Sequence, residues 1–187
     1  MLVINPNDIS ATVRSCYALC SESVKGRSDF LSPGGRKPLN ADEARAVAAG
    51  IVGFVENRCG ALTRAYYRFM FARNLNLLAE QAVLVGCARG YVVNEAALKP
   101  KYENDLFCIL TFVPLFLRAR IEGNTALSKR ELASFAGCDR RSFDRNVFPA
   151  FINLCERIEL EVSEDDKKIS LKISRSLSEL NFTKKYA

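Results

Sequence analysis

Residues 128–147 read SKRELASFAGCDRRSFDRNV, and the fold depends on how this stretch is understood. Ser128 followed three residues later by Glu131 is a capping-box pattern, in which a hydroxyl and a carboxylate satisfy free N–H groups at a helix start. Leu132, Phe135 and Ala136 then share one face of a short helix. Gly137 follows, and glycine enters the left-handed backbone that reverses a chain without steric cost. Asp139 is placed to cap a second helix, with Phe143 and Val147 turned inward. Arg140, Arg141, Asp144 and Arg145 are left pointing out.

Downstream, after a helix through Cys155, Ile158, Leu160 and Val162 alternate with polar residues. SEDDKK (163–168) follows, and Ile169, Leu171 and Ile173 alternate in turn. A period of two predicts two strands joined by a tight turn, a β-hairpin. Upstream, Phe107 to Arg120 reads as a buried helix that Pro114 bends or begins. Over residues 105–175 this order of helix, helix-turn-helix and hairpin resembles the winged helix-turn-helix DNA-binding proteins. Small Ala133 stands where the two helices touch, Gly137 falls four residues later in the turn, and apolar Phe143 follows six after that. The pattern departs at Asn146, where such motifs usually place a second apolar residue, and Val147 comes one position late.

The resemblance implies that residues 105–187 form a domain binding double-stranded DNA. Arg140, Arg141, Arg145 and Asn146 would stand on a helix narrow enough for the major groove, where Arg takes guanine bidentately and Asn takes adenine. Ser128, Lys129, Arg130 and Ser142 would hold phosphates. Lys167 and Lys168 would be the cations of the wing, beside Glu164, Asp165 and Asp166, which phosphate repels. The second strand offers another use, with Lys168, Ser170, Lys172 and Ser174 on the polar face of a ribbon. The plainer reading makes Arg140, Arg141 and Arg145 a solvated helix face paired with Asp139 and Asp144.

The charge balance fits this region better than the chain as a whole. Twenty-seven Lys and Arg against 21 Asp and Glu give a net charge of only +6. Arg118 to Arg145, however, holds seven cations against four anions, while Glu156 to Asp166 holds six anions against Arg157. Sorting of this kind is what a local site requires. Histidine is absent, which excludes Ser-His-Asp and Cys-His nucleophiles, imidazole metal ligation and histidine proton transfer. No enzymatic activity and no cofactor are expected. The seven cysteines are scattered, mostly among apolar residues, and read as buried free thiols in a reducing cytoplasm. Only Cys16 and Cys20 are close, without the paired short spacings of a zinc site, so no metal is expected. MLVINPNDIS lacks the form of a secretory signal, and the longest nearly apolar run, Phe107 to Leu117, is too short to span a bilayer. A cytoplasmic protein without membrane contact is the expectation.

A chain of 187 residues that is 49% hydrophobic makes one domain or two small ones. The fold class expected is mainly α: a helical bundle in residues 1–104, then the winged domain in residues 105–187. Asn7 or Asp8 opens a helix with Ile9, Val13, Cys16, Tyr17 and Cys20 at helical spacing, ending near Gly26. GRSDFLSPGGRKPL (26–39) reads as a loop. Asn40 and Glu43 form a second capping-box pattern for a helix closing near Gly60, and helical patterns continue over Leu62–Arg73 and Leu75–Arg89. Tyr91-Val92-Val93 suggests a short extended piece, and Lys99-Pro100-Lys101 a boundary. RAYYRFMFAR (64–73) mixes cations and aromatics as a base-stacking surface would, but its helical spacing favours core or dimer packing. Gly34-Gly35-Arg36-Lys37 lacks the preceding strand of a phosphate loop. The acidic pairs Asp42-Glu43 and Asp165-Asp166 fall at a helix start and a turn, where caps and solubility explain them.

The function these features favour is a sequence-specific, double-stranded DNA-binding transcriptional regulator of a bacterial mobile element such as a plasmid or phage. It is expected to act as a homodimer held through Ala41–Cys59 and the Tyr66, Phe69, Met70 stretch, in contact with the transcription machinery. A protein-protein adaptor with the same fold and a plasmid replication initiator are the competing readings.

Overall fold

Side chains close in sequence fix several helix starts. In the computed structural model, Asn40 accepts from the Glu43 N–H at 2.8 Å and Glu43 accepts from the Asn40 N–H at 2.9 Å, the expected capping box. Asp8 likewise accepts from the N–H of Ala11 at 2.9 Å. The structure describes residues 4–5, 8–21, 40–72, 77–94, 100–124 and 128–186. The loop expected at 26–39 lies outside them. The helices are α1 (Ile9–Ser21), α2 (Ala41–Arg58), α3 (Ala61–Phe71), α4 (Leu78–Asn94), α5 (Pro100–Ile109), α6 (Val113–Glu122), α7 (Lys129–Ala136), α8 (Arg140–Ser142) and α9 (Phe148–Tyr186). A 3-10 turn, Leu110–Phe112, joins α5 to α6, with Pro114 in the first turn of α6, where its missing N–H costs nothing. A π-helical turn, Phe143–Val147, joins α8 to α9.

The described residues are thus mainly helical and contain no strand. The hairpin expected at residues 158–173, and with it the wing, is not formed: the whole stretch lies within α9. Alternation at i, i+2 and i+4 contains the i, i+4 spacing of a helix, and burial separates the two patterns. Ile158, Val162, Ile169 and Ile173 are buried, while the intervening Leu160 and Leu171 are 67% and 61% exposed. SEDDKK also has no Gly, Pro or Asn to make a two-residue reversal, and its residues are tolerated in helices. The ribbon face of Lys168, Ser170, Lys172 and Ser174 fails for the same reason. Tyr91–Val93 is likewise the last turn of α4 and not an extended piece.

The chain divides into two units, and the division does not follow the boundary suggested near residue 104. One unit contains residues 1–76 together with 163–187, and the other residues 77–162. In the first, α1 packs against α2 and α3. Val13, Cys16, Ala44, Ala48, Ile51, Val55, Tyr67, Ile169 and Ile173 are its fully buried side chains of note. Tyr66, Phe69 and Met70 are also buried, so the aromatic stretch is core and offers no dimer surface. Tyr17 donates to Glu56 Oε1 at 2.6 Å, and Arg68 Nε donates to the same oxygen at 2.9 Å.

A second polar cluster holds α9 to the start of α3. Gly60, the residue before α3, has no side chain to cap the helix, and its N–H donates instead to Asp165 Oδ2 at 2.9 Å. Thr63, in the first turn, donates its hydroxyl to the same oxygen at 2.8 Å, and Lys168 Nζ reaches Asp165 Oδ1 at 2.6 Å. Tyr67 donates to the neighbouring Asp166. A carboxylate here faces both the unsatisfied N–H groups and the positive end of the helix dipole. Burial pushes the Asp165 carboxyl up, but Lys168, Gly60 and Thr63 outweigh it and hold it below its ordinary value. The acidic pair expected at a solvated turn is therefore an internal clamp.

Asp165→Ala should destabilise the protein by about 1–3 kcal/mol, since the Gly60 N–H and the Thr63 hydroxyl lose their acceptor at a site where Asp165 is only 8% exposed. The pH dependence has a definite sign. A carboxylate depressed in the folded state contributes stability above its unfolded pKa of about 3.9, lost as pH falls through the lower folded value. Chemical denaturation from pH 6 downward should show a steeper loss for the wild type than for Asp165→Asn.

Candidate nucleic-acid interface

Residues 128–147 lie in the second unit and fold as two helices joined by a tight turn. Ser128 precedes α7, accepting from the Glu131 N–H at 3.3 Å, while Glu131 accepts from the Ser128 N–H at 2.7 Å. The Ser128 N–H, and after it the Ser128 hydroxyl, which donates to the same Glu131 oxygen at 2.8 Å, hold the Glu131 carboxyl below its ordinary value. Leu132, Ala133 and Ala136 are buried, and α7 packs against α5 and the π turn. Gly137 has φ 72° and ψ 15°, the left-handed conformation that ends α7. Asp139 then accepts from the Ser142 N–H at 3.0 Å, opening the next helix. Phe135, placed on the inner face by its spacing, is instead 55% exposed, with its ring centroid 4.6 Å from that of Phe112.

The helix that starts at Arg140 continues through the π turn into α9, with right-handed backbone at Ser142, Phe143 and Phe148. The π turn accounts for the late apolar residue. Phe143, Val147, Phe151 and Cys155 are all fully buried at successive four-residue steps. On a regular α-helix each such step overshoots a full turn by about 40°, so three would carry the stripe about 120° around the helix. One widened turn, closed by the Phe148 N–H bonding to the Phe143 carbonyl, takes up the excess.

The expected cations surround this turn. Lys129, Arg130, Arg140, Arg141 and Arg145 are all exposed. Arg140 Nε lies 3.8 Å from Asp144 Oδ2, beyond hydrogen-bond reach, with 76% of its side chain exposed. Lys129 Nζ stands 4.4 Å from the centroid of the Phe148 ring, a cation–π contact that draws the start of α7 toward the start of α9. The two residues are 19 positions apart, which leaves no local sequence signal for it. Glu131 and Asp139 are occupied by helix caps. The other two cations of the basic segment are neutralised, Arg118 by Glu122 at 2.9 Å and Arg120 by Glu159 at 3.2 Å. Ser142 is half-buried, and Asn146 donates its amide to the Ser142 carbonyl at 3.2 Å, which commits one group that adenine recognition would use.

Lys167 and Lys168 are not brought to this site. They lie on α9 in the other unit, Lys168 paired with Asp165, and without a hairpin they form no wing tip. Of the cysteines, Cys16, Cys59 and Cys155 are buried as expected, Cys20 and Cys108 are exposed, and Cys87 and Cys138 are intermediate. Burial pushes the Cys155 thiol up to about 12, with Glu159 adding to the effect, so it is protonated at neutral pH. No cluster able to hold a metal ion occurs among the described residues, and none of their helices is long and apolar enough to cross a membrane.

No family model, no curated protein and no solved structure matches the chain. The site therefore has to be read from its own geometry.

Gly137→Ala should cost about 1–2 kcal/mol through the left-handed backbone. An added Cβ there would meet nothing within 4 Å, so steric clash contributes nothing. Gly137→Asn should cost less, because asparagine tolerates this region, and thermal melts of the two variants check the order.

Proposed function

We propose that residues 128–147 read double-stranded DNA and that the protein is a transcriptional regulator, of the kind mobile elements such as plasmids carry. The observation that supports this is the exposure of five cations around one glycine turn, with the carboxylates of Glu131 and Asp139 held in helix caps. Arg140, Arg141 and Arg145 stand on the first turns of the helix after the turn, the part of a helix-turn-helix that meets base edges in the major groove. Lys129 and Arg130, at the start of α7, suit phosphates. Without a wing, the unit reads as a plain helix-turn-helix in which α5 supports the two helices. Transcription machinery is a natural further contact for such a regulator.

Fluorescence anisotropy on random and selected duplexes tests the reading. Affinity on random duplex should fall steeply with salt, because each neutralised phosphate releases counterion. Arg140→Ala or Arg141→Ala should cost about 1–3 kcal/mol on the selected site and less on random DNA. Flat salt dependence, or affinities unchanged in both variants, would turn the basic surface over to an acidic protein partner. Binding to a series of repeated sites in an origin would favour the replication initiator over the promoter regulator.

A further inference from the structure

The basic surface contains one carboxylate that helix capping does not explain and that phosphate binding would disfavour. Residues 128–147 carry three acidic side chains, Glu131, Asp139 and Asp144. Glu131 accepts from the Ser128 N–H and Asp139 from the Ser142 N–H, so both serve helix starts. Asp144 lies in the π turn, past the first four residues of the helix that starts at Arg140, where free N–H groups call for an acceptor. It is exposed in the company of Arg140, Arg141 and Arg145. A surface that only held phosphates would do better without it, since like charges repel.

Asp144 Oδ2 lies 3.8 Å from Arg140 Nε, one helical turn back, with the two side chains 39% and 76% exposed. A guanidinium is a rigid planar fork of N–H groups. A carboxylate at Nε fixes the plane of that fork and leaves the edge between the two terminal nitrogens free for a pair of acceptors. Guanine presents such a pair in the major groove, O6 and N7. Arg141 has no equivalent aid, because the residue four positions on is Arg145, a second cation.

In water an exposed pair of this kind contributes little. Docking changes its value, because the groove displaces water from around the charges and an arginine that takes a base loses side-chain freedom. A fork held in advance has less freedom to lose. The 3.8 Å separation needs to close by only about 1 Å to reach the length of a charge-assisted hydrogen bond.

We propose that Asp144 is a positioning residue that makes Arg140 the guanine reader of the site. The proposal rests on the DNA reading given above and deepens it. It assigns the guanine preference to one arginine of the three, and it makes Asp144 a residue that lowers general affinity while raising selectivity. The competing use is direct reading of cytosine, whose N4 amino group donates to carboxylates.

Selection from a random duplex pool by the full chain, followed by fluorescence anisotropy on the selected duplex and its single-base variants, tests it. The wild type should select a guanine at a position where Arg140→Ala selects none. Asp144→Ala should lose discrimination at that same position by about tenfold. It should bind random duplex at least as tightly as the wild type at low salt, because an anion has left a surface that meets phosphate. The double variant Arg140→Ala with Asp144→Ala should lose no more at that position than Arg140→Ala alone, since Asp144 acts through Arg140.

Unchanged discrimination in Asp144→Ala, or additive losses in the double variant, would overturn the proposal and leave DNA reading in place. Loss of a cytosine preference at another position, independent of Arg140, would replace positioning by direct reading. Equal weakening on random and selected duplex would make Asp144 a purely structural residue and overturn the proposal too. A wild type without salt-dependent binding to any duplex would remove the DNA reading and the role of Asp144 together, so the two failures are told apart.

Discussion

One carboxylate connects the last helix to the first unit. Asp165, itself buried, takes the Gly60 N–H, the Thr63 hydroxyl and the ammonium of the exposed Lys168. From 105 residues away it takes the Gly60 N–H at the start of α3, and from 102 away the hydroxyl of Thr63 in the first turn. The acceptor is satisfied by the fold, and the helix end is satisfied by the acceptor. The inner residues before and after it, Ile158, Val162, Ile169 and Ile173, continue the same side of α9 with apolar groups. The polar clamp thus sits within an otherwise hydrophobic stripe and sets which turn of α9 meets α3. An apolar side chain in its place would leave the Gly60 N–H and the Thr63 hydroxyl unpaired, while the exposed Lys168 turns to water, a cost in specificity as well as in stability.

How much of this was readable beforehand follows the range of each interaction. Both capping boxes, Asn40 with Glu43 and Ser128 with Glu131, were legible because donor and acceptor are three residues apart. So was the turn at Gly137, where a left-handed backbone calls for glycine. The hairpin was misread because Ile158, Leu160 and Val162 satisfy two periods at once, and only burial shows Leu160 to be outside. The division into units was illegible for a different reason. Nothing near residues 163–187 states that they join residues 1–76, since that is settled by contacts such as Tyr67 with Asp166 across 99 positions. Within the basic site the sequence pointed to the cations but not to the pairing of Arg118 and Arg120: Arg120 with Glu159 crosses between elements, and Arg118 with Glu122, although a four-residue helical spacing, formed no part of the sequence reading.

The π turn connects these two levels. Read on a regular helix, Val147 is misplaced relative to the helix-turn-helix pattern, and that displacement was visible in the sequence. The structure absorbs it by widening a single turn between Phe143 and Val147, leaving Phe143, Val147, Phe151 and Cys155 together inside. The arginines on the preceding turn are thereby set by core packing and not by their own charges. Arg140 and Arg141 stand at the end of a rod whose inner face is fixed well beyond them.

Because one unit is assembled from the two ends of the chain, the order of synthesis and the order of folding cannot coincide. Residues 77–162 are contiguous and can close their contacts as soon as they have emerged. The first 76 residues must wait for residue 163 and beyond before Asp165 reaches Gly60. At roughly 5–20 residues per second that interval lasts on the order of 4 to 17 seconds. During it the apolar side of α3, with Tyr66, Tyr67, Phe69 and Met70, lacks its final cover. The part made first is finished last, and its aromatic residues are the ones a nascent-chain chaperone would meet.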